Sequence, residues 1–171
     1  PCDDIINTAV AALSSGAVLA IRGLGGFHLC VDACSKSAVE TLRKRKSRPA
    51  KALAIMVTDL NPARSLCSLS SAEEKLLLSP AHPIILLEAK EDAPLAPNLA
   101  PGISDIGVML PYTPLHHLLF RNPACPAALV MTSGNSSGEP ICTGNDDALC
   151  KLSNIADYFL LHNREIVTRV D

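Results

Sequence analysis

The chain predicts an α/β (α+β) domain built on a twisted mixed sheet flanked by helices. Short apolar runs of strand length alternate with segments whose apolar residues recur at helical spacing. Several of the runs are apolar throughout, as strands covered on both faces are. With 171 residues, 48% of them hydrophobic, the chain can bury one sizeable core and reads as a single domain, 1–171. It opens on Pro1 without Met and closes just after strand-like residues, which suggests a domain cut from a longer multidomain chain. Aromatics make up only 3% and Trp is absent, so Leu, Ile, Val and Ala must fill the core.

Taken in order, Ile5, Ile6, Ala9, Val10 and Leu13 recur at near-helical spacing between acidic Asp3 and Asp4 and the stop signal Gly16, which predicts a first helix. Ala17 to Arg22 reads as a strand, Gly23 to Gly26 as a sharp turn, and Phe27 to Val31 as a second strand. Ser37 and Glu40 have capping-box spacing and start a helix running into a basic stretch. Ala52 to Val57 is the next buried strand. Signals between Leu60 and Leu78 are helical, with Ser70 and Ser71 each followed three residues on by a glutamate. Ile84 to Leu87 is a strand. Glu88 to Asp105 is a long loop of the kind that often serves as a lid or mobile segment. Ile106 to Leu110 is a strand, Thr113-Pro114 caps a short helix, and Ala128 to Thr132 is another strand. After a turn-rich stretch, Asn145 caps a helix to about Leu152, and Tyr158 to Leu161 and Ile166 to Val170 close the chain as strands.

Charge and composition narrow the function. The formal net charge is −2, which argues against a broad nucleic-acid-binding face and leaves only a local basic patch. The seven cysteines include no CxxC pair and no Cys/His knuckle, so they read as reduced thiols rather than a metal site. No leader-like or membrane-length apolar run is present, and a cytoplasmic location follows by default.

The positive charge is concentrated. Arg43, Lys44, Arg45, Lys46, Arg48 and Lys51 are six of the fifteen Lys and Arg residues. Charges on a solvated helix face account for Arg43, Lys44 and Arg45. Lys46 and Arg48 differ, because Pro49 biases Arg48 away from helical geometry and leaves both at a helix-to-strand junction that can present them to an anion. Met131 to Gly138 leaves a buried strand and enters a loop rich in hydroxyl and amide groups, where Thr132, Ser133 and Asn135 can serve a ligand at a strand's carboxyl end. An ordinary polar turn is the plainer reading. Its formal GxSxG match, with Asp157 and His162 downstream, fails as a hydrolase elbow because Gly138-Glu139-Pro140 opposes a helix at the serine. Gly23 to Gly26 lacks the third glycine of a dinucleotide loop, and His28 follows it. His116 and His117 are adjacent on a helix and point to different faces, against joint metal binding. Arg164 and Arg169 are candidates for a second anion contact.

Taken together, IRGLGGFHLCVDA, RKRKSRPAKALAIM, SPAHPIILL, LAPGISDIGVMLPYTPLHHLL, LVMTSGNSSGEPI and IADYFLLHNREIVTRVD resemble the YrdC-like domain of the HypF-type carbamoyltransferases that mature [NiFe] hydrogenases. The resemblance spans nearly the whole chain in order. It implies a YrdC-like fold and ATP-dependent adenylation of carbamate, with Mg2+, to carbamoyl-AMP and pyrophosphate. It also implies carbamate supply from carbamoyl phosphate by an acylphosphatase domain, then transfer through a Kae1-like domain to the acceptor protein HypE. The family's Lys-x-Arg signature falls on Lys46 and Arg48, its Ser-x-Asn signature on Ser133 and Asn135, and the small-substrate pocket on Gly26, Phe27 and His28. Arg22 stands where lysine is common. Met109-Leu110 replaces the arginine that threonylcarbamoyl-AMP synthases carry before the proline matching Pro111, which favours carbamate over bicarbonate plus threonine. That synthase activity, for tRNA modification, and a non-catalytic RNA-binding module are the alternatives.

Overall fold

Seven strands form one mixed sheet in a computed structural model that describes residues 4–170. The elements are α1 (Ile5–Ser14), β1 (Leu19–Arg22), β2 (Phe27–Asp32), α2 (Lys36–Arg45), β3 (Ala54–Val57), α3 (Leu60–Leu66), α4 (Ser71–Leu77), β4 (Ile85–Glu88), β5 (Asp105–Met109), α5 (Pro114–Arg121), β6 (Ala128–Ser133), α6 (Asn145–Lys151) and β7 (Tyr158–Leu160). The strand order is β4-β5-β3-β6-β2-β1-β7. Only β1/β7 and β3/β5 run parallel, and the other neighbours are antiparallel.

Alternation along each strand divides the core in two. Phe27, Leu29, Val31, Ile55, Val57, Val108 and Val130 face one way and pack against α2, α3, α4 and α6 through Val39, Leu42, Ala63, Leu77, Ala148 and Leu152. Cys30, Met56, Met109, Leu129 and Met131 face the other way and pack with α1 and α5 through Val10, Leu13 and Leu119. Burial on both sides explains why the strands are apolar throughout.

Several expectations shift. Asp4 does cap α1, its side chain accepting from the Asn7 amide at 3.0 Å, while Cys2 and Asp3 lie outside the described residues. Ser35, not Ser37, caps α2. The helical stretch 60–78 is two helices, because the chain between them joins the sheet edge through the Cys67 and Ala89 bridge; α4 then starts with the Ser70/Glu73 capping box. Asn145 is the first residue of α6 rather than its cap, and its Oδ1 instead accepts from Arg22 Nη1 at 2.6 Å. No strand forms over 166–170; the segment crosses the glycine turn, with the Val170 amide donating to Gly25 O at 3.0 Å. The long loop is not a free lid. Ala96, Leu99 and Ala100 are buried, and backbone bonds tie Ala96 to Ala33 and Leu53 to Leu99.

Two features carry consequences for stability. Gly134, just past β6, donates its amide to Phe27 O at 2.6 Å, and a Cβ there would lie 2.6 Å from that same backbone oxygen. His116, on α5 below the Thr113 cap, is 1% exposed, and neither ring nitrogen has a hydrogen-bond partner among the described residues. Burial, reinforced by His28 and His117, lowers its pKa to about 3. The unfolded chain therefore binds a proton below about pH 6.5 that the folded chain refuses, so this contribution to stability is present above pH 6.5 and is lost as pH falls toward 3.

Chemical denaturation of Gly134→Ala should show a loss of about 1–3 kcal/mol, because backbone rather than a flexible side chain must give way; wild-type stability would mean the β2/β6 junction is looser than described. Between pH 6.5 and 5, His116→Leu should flatten the decline in stability, and an unchanged slope would remove His116 as its source.

Candidate functional site

The basic junction is built by the end of α2. Arg48 N bonds Arg43 O at 3.0 Å and Ser47 N bonds Lys44 O at 3.1 Å, the double closure of a Schellman turn, with Ser47 in the left-handed region at φ 52°. The reversal sends Lys46 and Arg48 toward the carboxyl end of β6. Lys46 is 4% exposed, and its Nζ donates to Ser133 O, to Asn135 O at 3.0 Å and to Asn135 Oδ1 at 2.8 Å. Ser133 Oγ donates to the same Oδ1 at 2.8 Å. Arg48 reaches Thr132 Oγ1 at 3.1 Å and Ala52 O at 3.3 Å. The two signatures thus meet as one hydrogen-bonded unit.

Around them lies a pocket of about 210 Å³ lined by Lys46, Arg48, Lys51, Ser133, Asn135 and Ser137, with Gly138 at its edge. Among the described residues three cations line it, a set that suits a polyphosphate. Among the described residues no group of three or more His, Cys, Asp or Glu could hold a metal ion.

Arg43 does not belong to a solvated face. It is 7% exposed and donates to five carbonyl oxygens: Asn98 at 2.7 Å, Arg48 at 2.8 Å, Leu99 at 2.9 Å, Lys51 at 3.1 Å and Pro49 at 3.2 Å. Arg45 is likewise engaged, with Asp157 at 2.8 Å; Lys44 remains exposed beside Glu40. The sequence signal for Arg43 was its spacing from the buried α2 positions Val39 and Leu42.

A second, larger cavity of about 800 Å³ lies over the sheet face that α1 and α5 leave open, lined by Gly25, His28, His82, Ile84, Met109 and Tyr112 among others. His28 on β2 is paired directly with Ser133 on β6, so the cleft and the basic pocket meet at one strand end, while Arg48 reaches Thr132 on the opposite sheet face. The Tyr112 hydroxyl and His28 Nε2 are 3.0 Å apart. Phe27 is fully buried in the opposite core, and a Cβ on Gly26 would meet Ile141 at 2.5 Å, so these two shape the turn while His28 and Gly25 line the cleft. Arg164 also lines the cleft. Arg169 lies toward α6, where its charge adds to the larger effect of Lys151 in lowering the Asp147 carboxyl; neither arginine lines the basic pocket. Arg22 is buried, donating to Asn145 and to His162 O at 2.9 Å. Sequence reading passed over Tyr112, whose signal was its place between two prolines at a helix start.

The chain is similar to known proteins in sequence and fold. HypF of Synechocystis, a carbamoyltransferase, is 50% identical over 169 residues, 99% of this chain and 22% of the relative. A crystal structure of full-length HypF in a phosphate- and nucleotide-bound form superposes with a TM-score of 0.93 at 48% identity, over 97% of this chain and 26% of that one. Sua5 of P. abyssi, complexed with L-threonine, shares the fold at a TM-score of 0.83 and 18% identity, over 95% of this chain and 48% of that one. The chain therefore spans less than a quarter of the length of the curated relative. Residues 11–171 match the sequence family Sua5/YciO/YrdC, described as "Telomere recombination", and the chain belongs to that family.

Proposed function

We propose that this domain adenylates carbamate, joining it to the α-phosphate of ATP with release of pyrophosphate, as one step of a HypF-type carbamoyl transfer. The observation that carries the reading is the pocket lined by Lys46, Arg48 and Lys51 together with Ser133 and Asn135, set beside the His28 cleft. The relationship to HypF proteins, one of them nucleotide-bound, supports it.

In this reaction a carbamate oxygen attacks the α-phosphorus and the bond to the pyrophosphate oxygen breaks. Negative charge grows on phosphate oxygens, so the protein contributes position and electrostatics rather than a nucleophile. Arg48 offers a planar fork to those oxygens, anchored by its bond to Thr132. Lys46 holds the Ser133 to Asn135 loop in place and exchanges one of its loop oxygens for a phosphate oxygen when nucleotide arrives. Ser133 and Asn135 supply short neutral donors. Magnesium would enter with ATP as its phosphate complex. Carbamate supply from carbamoyl phosphate and onward transfer to HypE belong, on this reading, to acylphosphatase and Kae1-like domains of a longer chain.

Calorimetric titration of ATP with magnesium should show binding weakened by about 1.5–3 kcal/mol in Lys46→Ala and in Arg48→Ala; unchanged affinity in both would sink the site. Carbamate-dependent exchange of labelled pyrophosphate into ATP should be seen in the wild type and disappear in Lys46→Ala. A requirement for threonine would instead identify threonylcarbamoyl-AMP synthesis.

A further inference from the structure

The glycine turn before β2 and the loop after β6 line two neighbouring cavities, and they interlock at one point. We propose that Ile141 is a positioning residue that makes the turn and the loop move as one body, so that an anion filling the basic pocket also sets the wall of the cleft.

Each segment is first closed on itself. Gly23 N donates to Gly26 O at 2.8 Å, which shuts the turn that brings Leu24 and Gly25 to the cleft. Cys142 N donates to Gly134 O at 2.9 Å, which shuts the loop that brings Asn135, Ser137 and Gly138 to the pocket. Two further backbone bonds cross between the segments: Phe27 N donates to Cys142 O at 2.9 Å, and Gly134 N donates to Phe27 O at 2.6 Å. Phe27, Gly134 and Cys142 therefore close a ring of three backbone hydrogen bonds. The peptide unit joining Gly26 to Phe27 is bonded through both its carbonyl and its amide.

Side chains lock this ring from both segments. A Cβ on Gly26 would lie 2.5 Å from Ile141 Cδ1 and 2.7 Å from Cγ1, and one on Gly134 would lie 2.6 Å from Phe27 Cβ. Each segment thus offers a glycine to the bulky residue of the other. Phe27 is 0% exposed and Ile141 2%, so neither side chain can swing away without opening a void, and contacts packed this closely transmit a displacement.

The outer part of the loop is built differently. Residues 137–140 are exposed, and the tip is held within itself by Glu139 N to Ser136 O at 3.1 Å and Asn135 Nδ2 to Glu139 O at 2.5 Å. Lys46 grips the inner part through Ser133 O and Asn135 O, and on the adenylation reading it gives up a loop oxygen to a phosphate. A tip that can settle on an anion, joined to a base that cannot move alone, carries that change to the turn. Because binding linkage is reciprocal, a small substrate in the cleft then changes nucleotide affinity by the same factor that nucleotide changes its own. This coupling of two reactants rests on the adenylation reading; the interlock does not.

Hydrogen exchange of the free chain tests the interlock. The amides of Phe27, Gly134 and Cys142 should exchange at rates within about threefold of one another, as a single opening unit. Ile141→Ala should speed all three together by roughly tenfold while Leu29 and Val130, in the strands themselves, keep their rates, and Ile141→Val should restore the wild-type values. Unmatched rates in the wild type would overturn the proposal without any variant, and so would an Ile141→Ala chain whose three amides are unchanged. Nitrogen-15 spectra recorded with magnesium and ATP then read the coupling. Amides of Asn135 to Ser137 and of Gly23 to Gly25 should shift together in the wild type, whereas in Ile141→Ala only the loop amides should respond. A turn that stays still in the wild type while the loop responds, or that still follows the loop in Ile141→Ala, overturns the proposal. Loss of both responses in Ile141→Ala would mark the residue as merely structural and overturn it as well. Absence of any loop response in the wild type would overturn the nucleotide reading alone, because the exchange rates still decide whether turn and loop move as one body.

Discussion

A buried guanidinium governs the geometry of the basic site. Arg43 has no carboxylate partner among the described residues, and five carbonyl oxygens from two separate loops solvate it instead. Removing it would leave those oxygens and their loops without a common donor, and a buried carbonyl that loses its partner costs about 1–3 kcal/mol. Three of the oxygens belong to residues 48, 49 and 51, between the end of α2 and the start of β3, and two to the loop before β5. One side chain thus fixes the loop carrying Arg48 and Lys51 and staples the long segment 89–104 to the domain. The Schellman closure supplies the turn, and Arg43 holds the strand side of it in place.

The sheet supplies the second constraint. Because side chains alternate, the one-residue step from Thr132 to Ser133 changes face, and Ser133 comes to lie opposite His28 on the side that α1 and α5 cover only in part. Cationic, hydroxyl and amide side chains gather at the end of β6, and a shaped cavity opens along the uncovered strands. Close approach of Gly134 to the Phe27 backbone joins the two regions, since no larger residue could let the strand ends draw that near.

Much of this was legible in the sequence. All seven strands were visible as apolar runs; the central ones are buried on both faces and leave an uninterrupted signal, while the edge strands β4 and β7 are apolar yet partly exposed. The meeting of Lys46 and Arg48 with Ser133 and Asn135 was expected from the family resemblance, and the reason for Pro49 from backbone sterics. What stayed hidden depends on long-range contacts. Arg43 has the composition of a surface helix residue, and only the loops folded over it, more than fifty residues away, make it a core residue. The loop 89–104 reads as lid-like because its buried residues, Ala96, Leu99 and Ala100, are spaced without period. No strand forms over 166–170: Val167 is 88% exposed, and Val170 instead meets the glycine turn.

The charge distribution explains how a chain of net charge −2 can host an anion. Overall charge acts at long range and is screened within about 8–10 Å at physiological salt, whereas a ligand in the basic pocket lies within contact distance of Lys46, Arg48 and Lys51. At that distance the local field decides. Beside the cleft, burial keeps His116 neutral, and the phenol of Tyr112, which lines it, keeps its proton. Positive charge is therefore concentrated at the pocket end of the site, whereas the cleft lining holds one cation, Arg164, and one carboxylate, Glu165, among the described residues. On the adenylation reading, a small oxyanion is drawn toward the pocket by Coulomb attraction, and the pocket and cleft divide the work of holding two reactants that are both negative.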